Sequence, residues 1–242
     1  MKQTCLLLAA AVAVWGQSGA KNGEWRTYGA DLGNTHYSAL DQINAGNFGK
    51  LQVAWRFTTE NFGPRPETNL QSTPLMAKGV LYSTAGTRRA VVALNAATGE
   101  LLWSHSEDEG ARGTNAPRQL SGRGLAYWTS GDQERILYVT PGYRLIALDA
   151  KTGSPLPGFG RNGVVDLKLD DDQQIDLETG EVGLHATPVV AGDTVIDQLS
   201  ITDLEPMDVC DIESPPGGLE AHEPIAVQRQ PTDSLMRTGD AA

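Results

Sequence analysis

A turn-bearing segment occurs twice. Ala93-Leu-Asn-Ala-Ala-Thr-Gly99 returns as Ala147-Leu-Asp-Ala-Lys-Thr-Gly153, 54 residues on. A second pair, Thr73-Pro-Leu-Met-Ala-Lys-Gly-Val-Leu-Tyr82 and Thr187-Pro-Val-Val-Ala-Gly-Asp-Thr-Val-Ile196, is offset by 114, about two such units and an insertion. In Asn/Asp-Ala-x-Thr-Gly the side-chain carbonyl or carboxylate folds back on its own backbone, and the glycine takes the positive φ that ends the turn. Around these turns lie short apolar runs, Val80–Tyr82, Ala90–Leu94, Ile136–Val139 and Leu145–Leu148. Leu51–Phe57 alternates apolar and polar residues at period two, the pattern of a half-buried strand. A repeat of about fifty residues made of short strands predicts an all-β chain built from four-stranded propeller blades.

Composition limits the partners. Nineteen Lys and Arg face thirty Asp and Glu, a net charge of -11, so the chain is not expected to bind nucleic acid, which requires cationic patches. The charge is uneven. Residues 197–242 carry ten acids and two arginines but none of the fifteen aromatic residues. At residue 197 the strand expected at Val195-Ile196 also loses its pattern. We therefore divide the chain into 1–20, 21–196 and 197–242. The last part is expected to be an acidic, disordered tail, either genuine or the product of a frameshift near codon 197.

Lys2, the apolar run from Leu6 to Trp15, and Ser18 with Ala20 have the order of a secretory signal cleaved after Ala20. A hydrophobic first strand is the alternative. Cleavage would place the chain in the periplasm or outside the cell. Of the two cysteines it would leave only Cys210, which rules out a disulfide within the mature chain.

The Ala-Leu-Asx-Ala-x-Thr-Gly-x-x-x-Trp pattern, complete in the first copy through Trp103, resembles the blade motif of dehydrogenases that depend on pyrroloquinoline quinone (PQQ). Gly23-Glu-Trp-Arg-Thr-Tyr-Gly-Ala-Asp31 and Tyr37-Ser-Ala-Leu-Asp-Gln-Ile-Asn44 resemble the segment that enters the first blade of those enzymes. The resemblance covers residues 21–196. It implies about three blades of an eight-bladed quinoprotein propeller, in which the Trp of one blade docks on the turn of the next. It further implies oxidation of a sugar, polyol or alcohol with PQQ and a calcium-type ion, and a quinone or cytochrome as electron acceptor.

Three cofactor-binding positions carry over. Gln71, before Ser-Thr-Pro, stands where some relatives have a Glu at the quinone; the alternative is a polar residue at the start of a strand. Arg123, in Ser-Gly-Arg-Gly, matches the family arginine that approaches the quinone oxygens, or else is a turn residue. His185, in Gly-Leu-His-Ala-Thr-Pro, falls where relatives place a small polar contact, or else is a structural histidine. A guanidinium suits charge developing on a quinone because it donates several bonds and keeps its proton. Some alcohol-oxidising relatives have two adjacent cysteines where this chain has Pro117 and Arg118, so their vicinal disulfide is absent. The family's catalytic Asp and its calcium ligands come from later blades and have no counterpart here. The chain is thus expected to be inactive alone. A non-enzymatic propeller scaffold and a truncated product without function are the other readings. Asp170–Glu181 has acids at four positions of a calcium loop but Ile175 where that loop needs Gly, and reads more simply as a solvated acidic insertion.

Overall fold

The structure is a computed structural model; it describes residues 19–64, 71–116, 124–169, 174–180, 182–184, 187–197, 199–201 and 226–229. The expected all-β architecture is present. Strands β1 (Leu75–Ala77), β2 (Val80–Ala85), β3 (Ala90–Asn95) and β4 (Leu101–His105) form one antiparallel sheet in sequence order. After a single helical turn, α1 (Ala111–Thr114), a second sheet follows in the same order: β5 (Ala126–Ser130), β6 (Gln133–Val139), β7 (Arg144–Asp149) and β8 (Val164–Asp166). These are two complete blades.

A third sheet starts in the same way and then departs. β9 (Val182–Leu184) lies apart from it, β10 (Val189–Ala191) pairs antiparallel with β11 (Thr194–Asp197), and β12 (Leu199–Ile201) turns away to pair with β9. The third strand beside β11 is β13 (Ala226–Arg229), which runs parallel to it with Thr194 opposite Ala226. A blade would have an antiparallel strand there. The departure falls at the end of β11, where the sequence repeat also ends.

The core lies between sheets. Leu75, Tyr82, Val91 and Ala93 of the first sheet pack against Ile136, Tyr138 and Ile146 of the second and against Leu125, which leads into it. The other face of the second sheet, with Trp128, Leu137, Val139 and Leu145, meets Val190 and Val195 of the third. Strand alternation makes this possible, since successive side chains point to opposite faces and both faces are apolar. Residues 51–57 were expected to be a strand. Trp55 and Phe57 do pack against Val92 and Leu94 of the first sheet, but no strand among the described residues pairs with this segment. The alternation holds for packing only at Trp55 and Phe57, since Leu51 and Val53 are exposed.

Both repeated turns form as the residues require. The Asn95 Oδ1 accepts from the amides of Ala97 and Thr98 at 2.9 and 3.1 Å, and Gly99 closes the turn at φ +74°. Asp149 accepts from Lys151 and Thr152 at 2.9 and 2.8 Å, with Gly153 at φ +72°. A third turn of this kind stands at Asp176-Leu-Glu-Thr-Gly180: Asp176 accepts from the amides of Glu178 and Thr179 at 3.0 and 2.6 Å and from the Thr179 hydroxyl at 2.8 Å. These bonds, led by the Thr179 amide, hold the Asp176 carboxyl below its ordinary range.

Candidate functional site

In each complete blade the start of the first strand, the turn between the second and third, and the end of the fourth share one end of the sheet. Leu75 is opposite Tyr82, Ala85 opposite Ala90, and Val91 opposite His105. At this end the segments leading into β1, β5 and β10 come together. Gly124, just before β5, adopts φ +86° and is buried. A Cβ on it would lie 3.1 Å from the Thr187 Oγ1 and 3.7 Å from the backbone nitrogen of Thr73. Thr73 leads into β1 and Thr187 into β10, so one glycine is in reach of the entry segments of both neighbouring sheets. The positive φ favours a glycine here, and the tight approach to Thr187 adds to that preference.

The three sequence-predicted residues bracket this point. Gln71 is two residues before Thr73, Arg123 immediately precedes Gly124, and His185 is two residues before Thr187. Gln71 is exposed at the entry to β1, and its side-chain amide makes no hydrogen bond among the described residues. Arg123 and His185 lie outside the described residues. The convergence of their described neighbours brings the three entry segments to one place. The contact set of Gly124, Thr73 and Thr187 was not foreseen as a site. The repeat of Thr73-Pro in Thr187-Pro was the available signal, since it aligned two of the three segments.

Beside this region the connection between the first two blades is tied down by charge. The Glu109 carboxylate accepts from the Thr140 hydroxyl at 2.7 Å and the Gly142 amide at 2.6 Å. Buried Arg112 donates its Nε to the Gly142 carbonyl at 2.6 Å and both terminal nitrogens to Asp166. Burial raises the Asp166 carboxyl, yet the two Arg112 bonds and the Lys168 amide outweigh it and leave it below the ordinary carboxylate range. The Lys168 ammonium donates to the Leu177 carbonyl at 3.1 Å, lies 5.6 Å from the Tyr143 ring centre, and is pushed down by burial and by Arg112. These groups satisfy one another, so they hold the frame of the site. Among the described residues no three His, Cys, Asp or Glu side chains gather in a way that could hold a metal ion.

At the opposite end a second network joins the blades. Glu134 accepts from Lys78 of the first sheet at 2.8 Å and from the Tyr127 hydroxyl at 2.6 Å. Burial raises this carboxyl as well, and those two bonds bring it below its ordinary value.

Comparison with known proteins bears on the family and the fold. Residues 25–223 match the family model described as "PQQ: Glucose/ethanol/alcohol dehydrogenase, beta-propeller domain". The dehydrogenase subunit of a quinone alcohol dehydrogenase from Gluconobacter oxydans is 40% identical over 139 residues, covering 56% of this chain and 17% of that protein. The glycerol dehydrogenase large subunit of Gluconobacter thailandicus is 31% identical, covering 72% of this chain and 24% of its own length. Among solved structures, the quinohemoprotein alcohol dehydrogenase of Comamonas testosteroni superposes with a TM-score of 0.58 at 26% identity, over 76% of this chain and 24% of that one. A europium-containing methanol dehydrogenase gives 0.57 at 25%, over 74% of this chain and 27% of that one. The chain thus spans about a fifth of the length of the curated relatives it matches.

Proposed function

Since this chain belongs to the PQQ-dependent glucose/ethanol/alcohol dehydrogenase β-propeller family, we propose that it supplies the first blades of an exported enzyme that oxidises a sugar, polyol or alcohol. The acceptor of the electrons is a quinone or a cytochrome. Export rests on the charged start, apolar run and small residues up to Ala20.

The observation that carries this reading is the meeting of three entry segments at Gly124, each with one of Gln71, Arg123 and His185 within two residues. PQQ, when bound, supplies the electron sink for the two electrons of the alcohol carbon. The open Gln71 amide can both donate to and accept from a polar ring edge. Arg123 supplies a fixed cation with several donors for oxygens that gain charge. His185 offers one ring nitrogen as donor and the other as acceptor while neutral. A calcium-type ion and a catalytic carboxylate are taken to come from blades beyond this span. This assigns cofactor contact, and not turnover, to the chain itself.

The test is a titration of the full chain with PQQ in calcium-containing buffer, followed by tryptophan quenching and by quinone absorbance. Saturable binding that weakens at least tenfold in Arg123→Met and severalfold in Gln71→Ala is expected. Equal binding by wild type and Arg123→Met would sink the assignment.

A further inference from the structure

We propose that β13 is a protective cap: it covers the outer edge of β11 and keeps that edge from pairing with a second copy of the chain. β11 runs Thr194-Val-Ile-Asp197, β-branched at its first three positions, and β10 holds one side of it, with Val190 opposite Val195. Val195 is fully buried. A strand of this composition with its other side open is a template for a further strand. In the two complete blades that side of the second strand is taken by an antiparallel third strand, β3 or β7. Here β13 takes it in parallel, with Val195 opposite Val227 and Asp197 opposite Arg229. A parallel neighbour needs a crossover of roughly a dozen residues or more, and the stretch 198–225 supplies it.

The sequence around β13 suits an edge that stops. Residues 197–242 hold ten acids, and their longest acid-free stretch, 224–232, is the one that contains the strand. Pro224 and Pro231 stand on either side of it, and neither brings an amide to a ladder. Arg229 is one of only two bases in 197–242, and the register sets it opposite the acid of β11. Short strands, prolines and charge are the means by which an edge avoids further pairing. β13 combines them: four residues, two flanking prolines and Arg229. It replaces a β-branched edge by one that resists addition, as the terminal units of stacked repeats carry a polar outer face. The partner held off is a second copy, because two identical β11 edges can pair antiparallel about a twofold axis.

The test uses the full chain and three variants, Asp197→Arg, Arg229→Asp and the two together. Each single change sets like charges opposite each other in the register, and the double change restores an opposite pair. In the wild type, hydrogen exchange should find alternate amides of β11, those turned away from β10, protected. Each single variant should lose at least tenfold of that protection and self-associate, by light scattering, at a concentration at least tenfold lower. The double variant should return to wild-type values in both. Val227→Pro should behave as the single variants do, while the amides of β3 and β7 keep their protection. Free exchange of those β11 amides in the wild type overturns the proposal, as does a double variant no better than the singles. Loss of β11 protection without stronger self-association also overturns it, since β13 would then be a neighbour and not a cap. None of these readouts involves PQQ, so the proposal fails or survives independently of the cofactor assignment.

Discussion

The indole of Trp103 lies on Gly153 so closely that a Cβ on the glycine would sit 2.7 Å from the Trp103 Cδ2 and closer still to Cε3. The glycine also holds φ +72°, which a side chain disfavours. Gly153→Ala therefore meets backbone strain and a clash together and should cost about 1–3 kcal/mol, read from the urea midpoint. Gly99→Ala faces Trp55 in the same way. If either alanine variant unfolded at the wild-type midpoint, the docked tryptophan would not be a structural staple.

The turn caps are separable from the docking. Asp149→Ala removes the acceptor for the Lys151 and Thr152 amides and should cost about 1–2 kcal/mol. Asp149→Asn keeps an acceptor, as Asn95 does in the first blade, and should recover most of the loss. A thermal melt of the two variants decides this.

Arg112 and Asp166 join the connection after the first blade to the end of the second. Arg112→Met leaves the Asp166 carboxylate without its main partner. A fully buried pair broken in this way costs about 3–5 kcal/mol; Asp166 retains one-fifth exposure, so about 2–3 is expected. The double variant Arg112→Met/Asp166→Leu should lose less than the single one.

Stability should fall at both extremes of pH. Asp166 and Glu134 are held below their unfolded values, so their contribution is present above those values, near 4 to 4.5, and is lost as the pH falls through the folded ones. Tyr82 is pushed the other way, to about 12, first by burial and then by the Glu134 charge. A raised acid is stabilising in its neutral form, so this contribution is intact below pH 10 and is lost as the pH rises towards 12. Denaturant midpoints across pH should therefore form a plateau with two falling limbs, and Glu134→Gln with Asp166→Asn should flatten the acid limb.

The blades were legible because their turns are local. Asn95–Gly99 and Asp149–Gly153 each fold within five residues, so a sequence pattern suffices to find them. Asp176–Gly180 forms the same hydrogen bonds and was read as acidic insertion or a calcium loop. No strand run or downstream Trp flanks it to signal a blade, and acids crowd it on both sides. The partnership of Gly124 with Thr73 and Thr187 spans 51 and 63 residues and arises only when sheets stack side by side. Nothing in Ser-Gly-Arg-Gly itself announces it. The parallel pairing of β13 with β11 could not be read from the residues of either strand.

The apolar clusters between sheets carry a mechanical consequence. Each sheet is stabilised through its two flanks, so the chain behaves as a row of coupled units, and coupling is weakest at the ends of the row. Pulled from its C-terminus, it should unravel by steps: the third sheet first, then the second with its Arg112 tether, and last the first sheet with Trp55 still clasped to it. A row that unravels in this order can also grow in the reverse order, each sheet serving as the template on which the next one settles as it leaves the ribosome.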